Sequence, residues 1–599
     1  MKSIPESQKF IIADQESYPA DFQCPNPKGW YHSVANIAST PDGLVAVYRL
    51  SDSHCAVTTH IMVAYSADGG RTWTGHRSVS NRNVWEDHAV WAAPQMRRLR
   101  DGRLVIICDL GQRTSHDNWP MLAHWQKPDR GMWNFLFWSN DHGRTWSDPV
   151  RCDDVGGEPG YIIDLADGTL LYTATVSEAS TEIIDGPAPW GNIYYRSIVM
   201  ASEDGGNTWS KRSDLTNAPF QGDSEVGLVE LEPNHVIAAT RIGFGGGQFG
   251  QPSRLVHSHD GGRTWGEPIL MPAYMQRAHL NRLQSGKFFI TYRNRWGSLA
   301  SYGFAFDPGE ELGFEPSSQI HDEERCRLED GVMILDTDIV RRAGLATEGA
   351  APPIGDNERD NAVLFSLYPV IDHRSSVELE LELRIRPGSG DGSIVIYAGF
   401  RVDLTGNKIR IPDRHSSEFS VDATGQRDET GVELEGGKDL AVELDATRWH
   451  RYRFVRRDRL IEVFVDGESI LRADTEGRKE RLVRFGSRGR LISEWRSGSA
   501  RIRNPQDTDI DWDWNVENGF IDQFRRDRMV RLDHTSDSGY TQWTQTDDGM
   551  VVIADYTNDS FDNASWQHAG QPILKAYLAR ESDLFSGDLA HCTRHFGKT

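Results

Sequence analysis

One octapeptide pattern, Ser-x-Asp-x-Gly-x-Thr-Trp, occurs four times in this chain and constrains its fold more than any other feature. The copies run from Ser66 to Trp73, Ser139 to Trp146, Ser202 to Trp209 and Ser258 to Trp265. Five fixed positions suit a tight hairpin. The Asp carboxylate accepts hydrogen bonds from turn amides, Gly supplies a positive φ, and Thr-Trp opens the next strand with a ring for the core. The four aspartates are therefore expected to be structural. A second repeat lies upstream, where a turn precedes an apolar β run: Pro41-Asp42-Gly43, Asp101-Gly102, Asp167-Gly168, Ser285-Gly286 and Asp548-Gly549, with Glu232-Pro233-Asn234 as a degenerate sixth. Six units of short alternating strands, with little amphipathic helix between them, predict an all-β six-bladed propeller.

The spacing breaks once. Between about Asp307 and Asp537 no propeller motif occurs, and residues 377–387, 392–402, 449–471 and 482–487 carry their own alternating β pattern. Val465-Asp466-Gly467-Glu468 marks a hairpin between two of these strands. The chain is thus divided into a propeller of residues 1–319 and 517–599 and an inserted β-sandwich of residues 320–516. That division leaves about 67 residues per blade, a suitable size.

Composition excludes several function classes. Lys and Arg number 65 against 88 Asp and Glu, giving a net charge of −23, and no basic run with interleaved aromatics appears, so nucleic acid is not an expected partner. Apolar runs are far shorter than the ~20 residues of a membrane span. The first nine residues hold no apolar stretch before a cleavage site, which predicts a cytoplasmic protein. Six scattered cysteines without paired spacing predict reduced thiols and no zinc site. No metal or cofactor is expected, and a homo-oligomer is left open.

The octapeptides resemble the Asp-box (BNR) repeats of sialidases and their relatives, which are six-bladed propellers. The inserted segment resembles the laminin-G/concanavalin-like sandwich, particularly from Trp449 to Gly467 and from Phe485 to Ser487 with Asp511-Trp512-Asp513-Trp514 following. That insert is expected either to pack and dimerise or to bind sugar. The resemblance implies a carbohydrate substrate and a site with a Tyr nucleophile, a Glu that activates it, an Asp acid/base and three Arg that clamp a substrate carboxylate.

Residue by residue, Asp223 to Leu231 followed by Ala238 to Arg241 is similar to the family segment that supplies the Glu and one Arg, here Glu225 and Arg241. A turn between antiparallel strands would bring both to one rim; a plain salt bridge is the alternative. Ser538-Gly539-Tyr540 is similar to the nucleophile segment. A phenol with an ordinary pKa of ~10 needs a carboxylate to take its proton, and Glu225 fits. Tyr540 could equally be a stacking wall for a sugar or a packing residue. Arg295 is the preferred further carboxylate contact, with Arg293 on the same strand face as its substitute or buttress.

The first blade departs from the family pattern. His32 is read at the position of the first clamp arginine, either as an acid/base or as a structural histidine. Arg49 ends the following strand as a substrate contact, and Asp52 in the next loop is the acid/base candidate. Asp87 and His88, between Trp85 and Trp91, and Glu158 in the third unit are further sugar-binding candidates, against a reading as ordinary charged loops.

An exo-acting glycosidase of a terminal, expected acidic, sugar accounts best for these residues. A uronate lyase using His32 or Tyr540 as base, and a non-catalytic carbohydrate-binding propeller, are the alternatives.

Overall fold

The computed structural model describes residues 2–585 apart from 55, 113–131, 154, 180–192, 216–222, 243–251, 295–299, 311, 319–324, 339–361, 369–374, 413–438, 475–482, 505–508, 533–537 and 559–570. It is almost entirely β. Six sheets follow one another along the chain, antiparallel except where Lys2–Ser3 runs parallel to Val530–Arg531 at the edge of the fifth. Blade one is Tyr31–Thr40, Gly43–Ser51, Thr58–Ser66 and Thr74–Asn83, hydrogen-bonded in that order. Blades two and three repeat the plan with a split first strand, Ala89–Trp91 and Gln95–Arg98 in one, Glu158–Pro159 and Ile163–Asp164 in the other. Blade four opens with Asp223–Glu232 and His235–Ile242, blade five with Met275–Arg282 and Phe288–Asn294, and blade six with Ser538–Gln545 and Met550–Thr557.

The first strands lie against one another from sheet to sheet, and that of blade six returns to blade one, so the sheets close a ring. Polar side chains tie the axis together. Gln542 of blade six donates to the Met96 carbonyl at 2.7 Å and accepts from the Ile37 amide at 2.6 Å, reaching blades two and one at once. Ring closure also uses the N-terminal segment: Lys9–Ala13 is the outer strand of blade six, antiparallel to Ile573–Arg580. Blade five takes its outer strand, Val530–Arg531, from beyond the insertion.

Each octapeptide closes the turn between the third and fourth strands of a blade. In the first copy Asp68 Oδ1 accepts from the amides of Arg71 and Thr72 and from Ser66 Oγ, and Oδ2 accepts from Thr72 Oγ1. Asp141, Asp204 and Asp260 repeat the Ser and Thr contacts. Two residues of each turn take positive φ: the fixed glycine, Gly70, Gly143, Gly206 or Gly262, and the residue before it, Gly69, His142, Gly205 or Gly261.

Between blades five and six, residues 317–515 form two further sheets sharing one hydrophobic core. Strand Ser376–Ile385 alternates strictly between buried and half-buried residues, as its Val-Glu-Leu-Glu-Leu pattern requires. The Asp466-Gly467 hairpin forms with both residues at positive φ, joining Leu460–Val465 to Glu468–Asp474. Tyr274, just before the first strand of blade five, donates to the Ser366 carbonyl at 2.9 Å and seats this body beside that strand. No helix among the described residues is long and apolar enough to cross a membrane.

Candidate active site

The antiparallel order sends the four octapeptide turns to one end of the ring. The opposite end holds the starts of the first strands and the ends of the second strands. Four first strands carry the same bulge at that end. In blade four the pairing passes from Ser224↔Arg241 to Gly227↔Ala239, so Glu225 and Val226 face one residue, Thr240. Blades one, five and six repeat this at Val34, Arg277 and Tyr540. The bulged residues take φ of 54° at Val34, 46° at Glu225, 46° at Arg277 and 48° at Tyr540. Such values are uncommon for non-glycine residues and a marked outlier for β-branched Val. A bulge re-aims a side chain, and four at one height turn four side chains out of the sheet pattern.

Three of the four meet. The Tyr540 hydroxyl donates to Glu225 Oε1 at 3.2 Å, and the Arg277 guanidinium carbon lies 4.6 Å from the Tyr540 ring centroid. Gln276 Nε2 donates to both, at 3.2 Å to the Tyr540 hydroxyl and 3.3 Å to Glu225 Oε1. Arg241 Nη1 stands 2.9 Å from Glu225 Oε2, and Arg277 Nη2 is 4.0 Å from Oε1. Arg277 also hydrogen-bonds the Glu158 carboxylate and donates to the Pro159 carbonyl at 3.1 Å. Behind Tyr540, Asp555 accepts from the Gly539 amide at 2.9 Å and fixes the bulge.

Close backbone contact between blades makes this convergence possible. A Cβ on Gly160 would lie 2.5 Å from the Val226 carbonyl oxygen, and one on Gly227 would lie 2.2 Å from that of Ala278. Glycine at both positions draws blades three, four and five together, and with them Glu158, Glu225 and Arg277.

Burial sets the electrostatics. Glu225 and Arg277 are buried and Tyr540 is partly buried. Burial and then the Glu225 charge push the Tyr540 phenol up, against a downward pull from Arg277. Burial pulls Arg277 down, opposed by Tyr540 and Asp109. The tyrosine is therefore neutral at rest. Asp109, buried at the end of the second strand of blade two, is pushed up by burial while the Ala93 amide, Arg277 and Arg49 oppose the shift. Among the described residues no three His, Cys, Asp or Glu are grouped to hold a metal ion.

The remaining sequence candidates divide. Arg49, Arg241 and Arg293 occupy one register position, each paired across from the residue just before a bulge. Arg293 packs its aliphatic stem where a Gly539 side chain would be, at 2.8 Å from an ideal Cβ, and so supports the Tyr540 bulge. Arg49 donates to the His54 carbonyl at 3.1 Å. Asp52 lies in the loop at this end, its Oδ1 accepting from the Val57 and Thr58 amides at 2.8 and 3.2 Å. Arg295 lies outside the described residues.

Three further candidates stand apart from the Tyr540 cluster, in the structural settings that were their alternative readings. His32 is fully buried two residues before the bulge. Its Nδ1 is 2.8 Å from the Pro572 carbonyl oxygen, its ring stacks on Tyr18, and burial lowers its pKa to about 4. The residue in register with Glu225, Arg277 and Tyr540 is Val34. Asp87 and His88 are exposed at a one-turn helix, Val84–Asp87, where Asp87 Oδ2 accepts from the Asn83 amide and His88 is the left-handed cap. They serve the turn and do not join the Tyr540 cluster.

Sequence reading missed Gln276 and Arg277. A usable signal existed, because each bulged residue stands nine positions before the left-handed residue of the following turn: Val34 before Gly43, Glu225 before Asn234, Arg277 before Gly286 and Tyr540 before Gly549.

Residues 42–297 match the family model described as a BNR repeat-like domain. The chain is similar to the sialidase of Clostridium perfringens, 25% identical over 256 residues that cover 39% of this chain and 60% of that protein. It is also similar to the sialidase of Paraclostridium sordellii, 22% identical over 250 residues, or 39% and 57%. The chain thus spans about 60% of the length of these curated relatives. Among solved structures, Trypanosoma rangeli sialidase in complex with 2,3-difluorosialic acid aligns over 85% of this chain and 97% of its own, at 12% identity and a TM-score of 0.38. A Dyadobacter fermentans protein of unknown function aligns over 51% and 84%, at 15% identity and a TM-score of 0.40. Its Asp-box turns lie on a closed ring of six sheets, and the stretch from 42 to 297 is similar to a BNR repeat-like domain and the chain to these sialidases.

Proposed function

We propose that this protein is a retaining, exo-acting glycoside hydrolase in which Tyr540 is the nucleophile. The observation that carries this reading is the 3.2 Å hydrogen bond from the Tyr540 hydroxyl to Glu225 Oε1, under the Arg277 guanidinium. Tyr540 Oη attacks the anomeric carbon while its proton passes to Glu225. Arg277, stacked on the ring, and Gln276, donating to the hydroxyl, stabilise the charge that develops on the phenolic oxygen. The leaving-group oxygen takes a proton from Asp52, which later deprotonates the water that releases the sugar. Arg241 orients Glu225. Relatives described as sialidases support a carbohydrate substrate. The division into a propeller of residues 1–319 and 517–599 and an inserted sandwich of 320–516 belongs to the same reading, supported by the shared core of the sheets between Ser317 and Asn515.

The lyase alternative loses one of its two bases, because His32 is buried against Pro572 and Tyr18. The test is a panel of aryl glycosides on wild type and Tyr540→Phe, with mass spectrometry after a 2-fluoro glycosyl fluoride of the sugar turned over. Trapping on Tyr540 and loss of turnover in the variant are expected. Undiminished turnover by Tyr540→Phe removes the nucleophile assignment.

A further inference from the structure

The geometry points to a second subsite at the bulge end of the ring: Trp85 is a platform on which the leaving group stacks, and that leaving group is itself a sugar. This rests on the glycosidase reading above, in which Asp52 protonates the leaving-group oxygen.

Blade one hydrogen-bonds its strands in chain order, with Tyr31–Thr40 lining the ring and Thr74–Asn83 outermost. The chain must then return to Ala89–Trp91, the first strand of blade two, and it crosses the bulge end to do so. That crossing is the one-turn helix Val84–Asp87. The Asn83 side chain accepts from the Trp85 amide at 2.9 Å, and the His88 amide donates to the Val84 carbonyl at 3.1 Å. Val84 is buried against Val57 and Val90. The turn is thus fixed from beneath while Trp85, its second residue, is 59% exposed. Among the described residues it is the most exposed large apolar side chain. Val150, Ile11 and Ile269, the next in exposure, are aliphatic and lie on outer strands of blades. An aromatic ring held outward on a fixed turn is a surface for contact.

The same turn is tied to the loop that carries Asp52. The Val84 amide donates to the Val57 carbonyl at 2.9 Å, and Asn83 Nδ2 donates to Thr58 Oγ1 at 2.9 Å. Val57 and Thr58 are the residues whose amides Asp52 Oδ1 accepts. Asp52 and Trp85 therefore stand on one hydrogen-bonded frame. Asp52 follows the second strand of the blade and Trp85 the fourth, so Trp85 lies on the side away from the axis. A sugar seated at Tyr540 places its leaving-group oxygen at Asp52, and a leaving group that continues outward from there meets the indole. A pyranose suits that surface, because its C–H face is apolar and matches the ring while its hydroxyls point to the sides. Glu86 and His88 flank Trp85 with exposed polar side chains that bond hydroxyls. A leaving group without a ring would leave the indole uncovered.

The test measures kcat/KM on substrates that share the terminal sugar turned over in the aryl glycoside panel: its glycosyl fluoride, whose leaving group is a single atom, and the same sugar joined to lactose, cellobiose or xylobiose. Wild type, Trp85→Ala and Trp85→Phe are compared, each checked for folding by its melting curve. Trp85→Ala is expected to lower the ratio of the best conjugate to the fluoride by about 10–100-fold, the scale set by covering one large apolar side chain. The loss should fall mainly on KM, and Trp85→Phe should restore most of it. Turnover of the fluoride but of none of the conjugates overturns the inference and leaves the glycosidase reading standing. An unchanged ratio in folded Trp85→Ala does the same. If wild type turns over no glycoside at all, the glycosidase reading falls and takes this inference with it.

Discussion

The two ends of the same blades follow opposite rules. At the Asp-box end, four turns use the same residues, the same hydrogen bonds and the same left-handed position. At the other end, four bulges share one backbone conformation but carry Val, Glu, Arg and Tyr. Uniform side chains at one end solve a problem every blade has alone, which is closing a hairpin. Different side chains on a uniform bulge solve a problem no blade can solve alone, which is assembling unlike groups about one axis. Unlike ionisable groups therefore meet at the end where the repeat is broken in side chain and kept in backbone.

Substitutions can break this comparison, and the largest effects belong at the bulge end. Tyr540→Phe and Glu225→Gln should each lower kcat by on the order of 10²–10⁴-fold with little change in melting temperature. Loss of folding in step with activity would show that both residues merely pack. Next in size is Gly227→Ala, whose methyl group meets the Ala278 carbonyl. It should cost about 1–3 kcal/mol in denaturant unfolding and reduce kcat as Glu225 and Arg277 move apart. An unaltered kcat in that variant would mean that blade spacing does not set the site.

At the Asp-box end the effects should fall on stability alone. Asp204→Asn removes the turn's acceptor and should lower the melting temperature by a few degrees while kcat/KM is retained. A matching fall in kcat/KM would join the two ends functionally. Smallest of all is an acid effect. Asp68 and Asp260 are held at about 2 despite the raising effect of partial burial, because the Thr, Ser and backbone donors of the turn favour the carboxylate. A folded pKa below the unfolded value of ~3.9 gives stability that is complete above about pH 4 and is lost as pH falls toward 2. Urea midpoints of wild type and Asp68→Asn should therefore converge over that window; a constant gap would remove the carboxylates from the account.

Much of the fold was legible because its signals are local. Ser-x-Asp-x-Gly-x-Thr-Trp carries donor, acceptor and glycine within eight residues, and the Asp466-Gly467 hairpin likewise needs only its own neighbours. Three of the site's residues, Glu225, Arg241 and Tyr540, were legible through a family resemblance. Arg277 was not, since nothing in Met275-Gln276-Arg277-Ala278 distinguishes a bulged arginine from a strand arginine until its distance to the Gly286 turn is compared across blades. The bulge at Val34 was not legible for the same reason: a strand read without its bulge does not show which position is in register with Glu225, Arg277 and Tyr540.

The sequence by itself determined that this chain is a repeated β structure with one interruption, because hairpin chemistry and strand alternation are set by residues close along the chain. Only the tertiary structure decided which side chains meet. Tyr540 and Glu225 are 315 residues apart, and Arg277 and Glu158 are 119 apart. Their contacts exist because six sheets close one ring, glycines let its inner strands approach, and a shared bulge turns unlike residues toward one another.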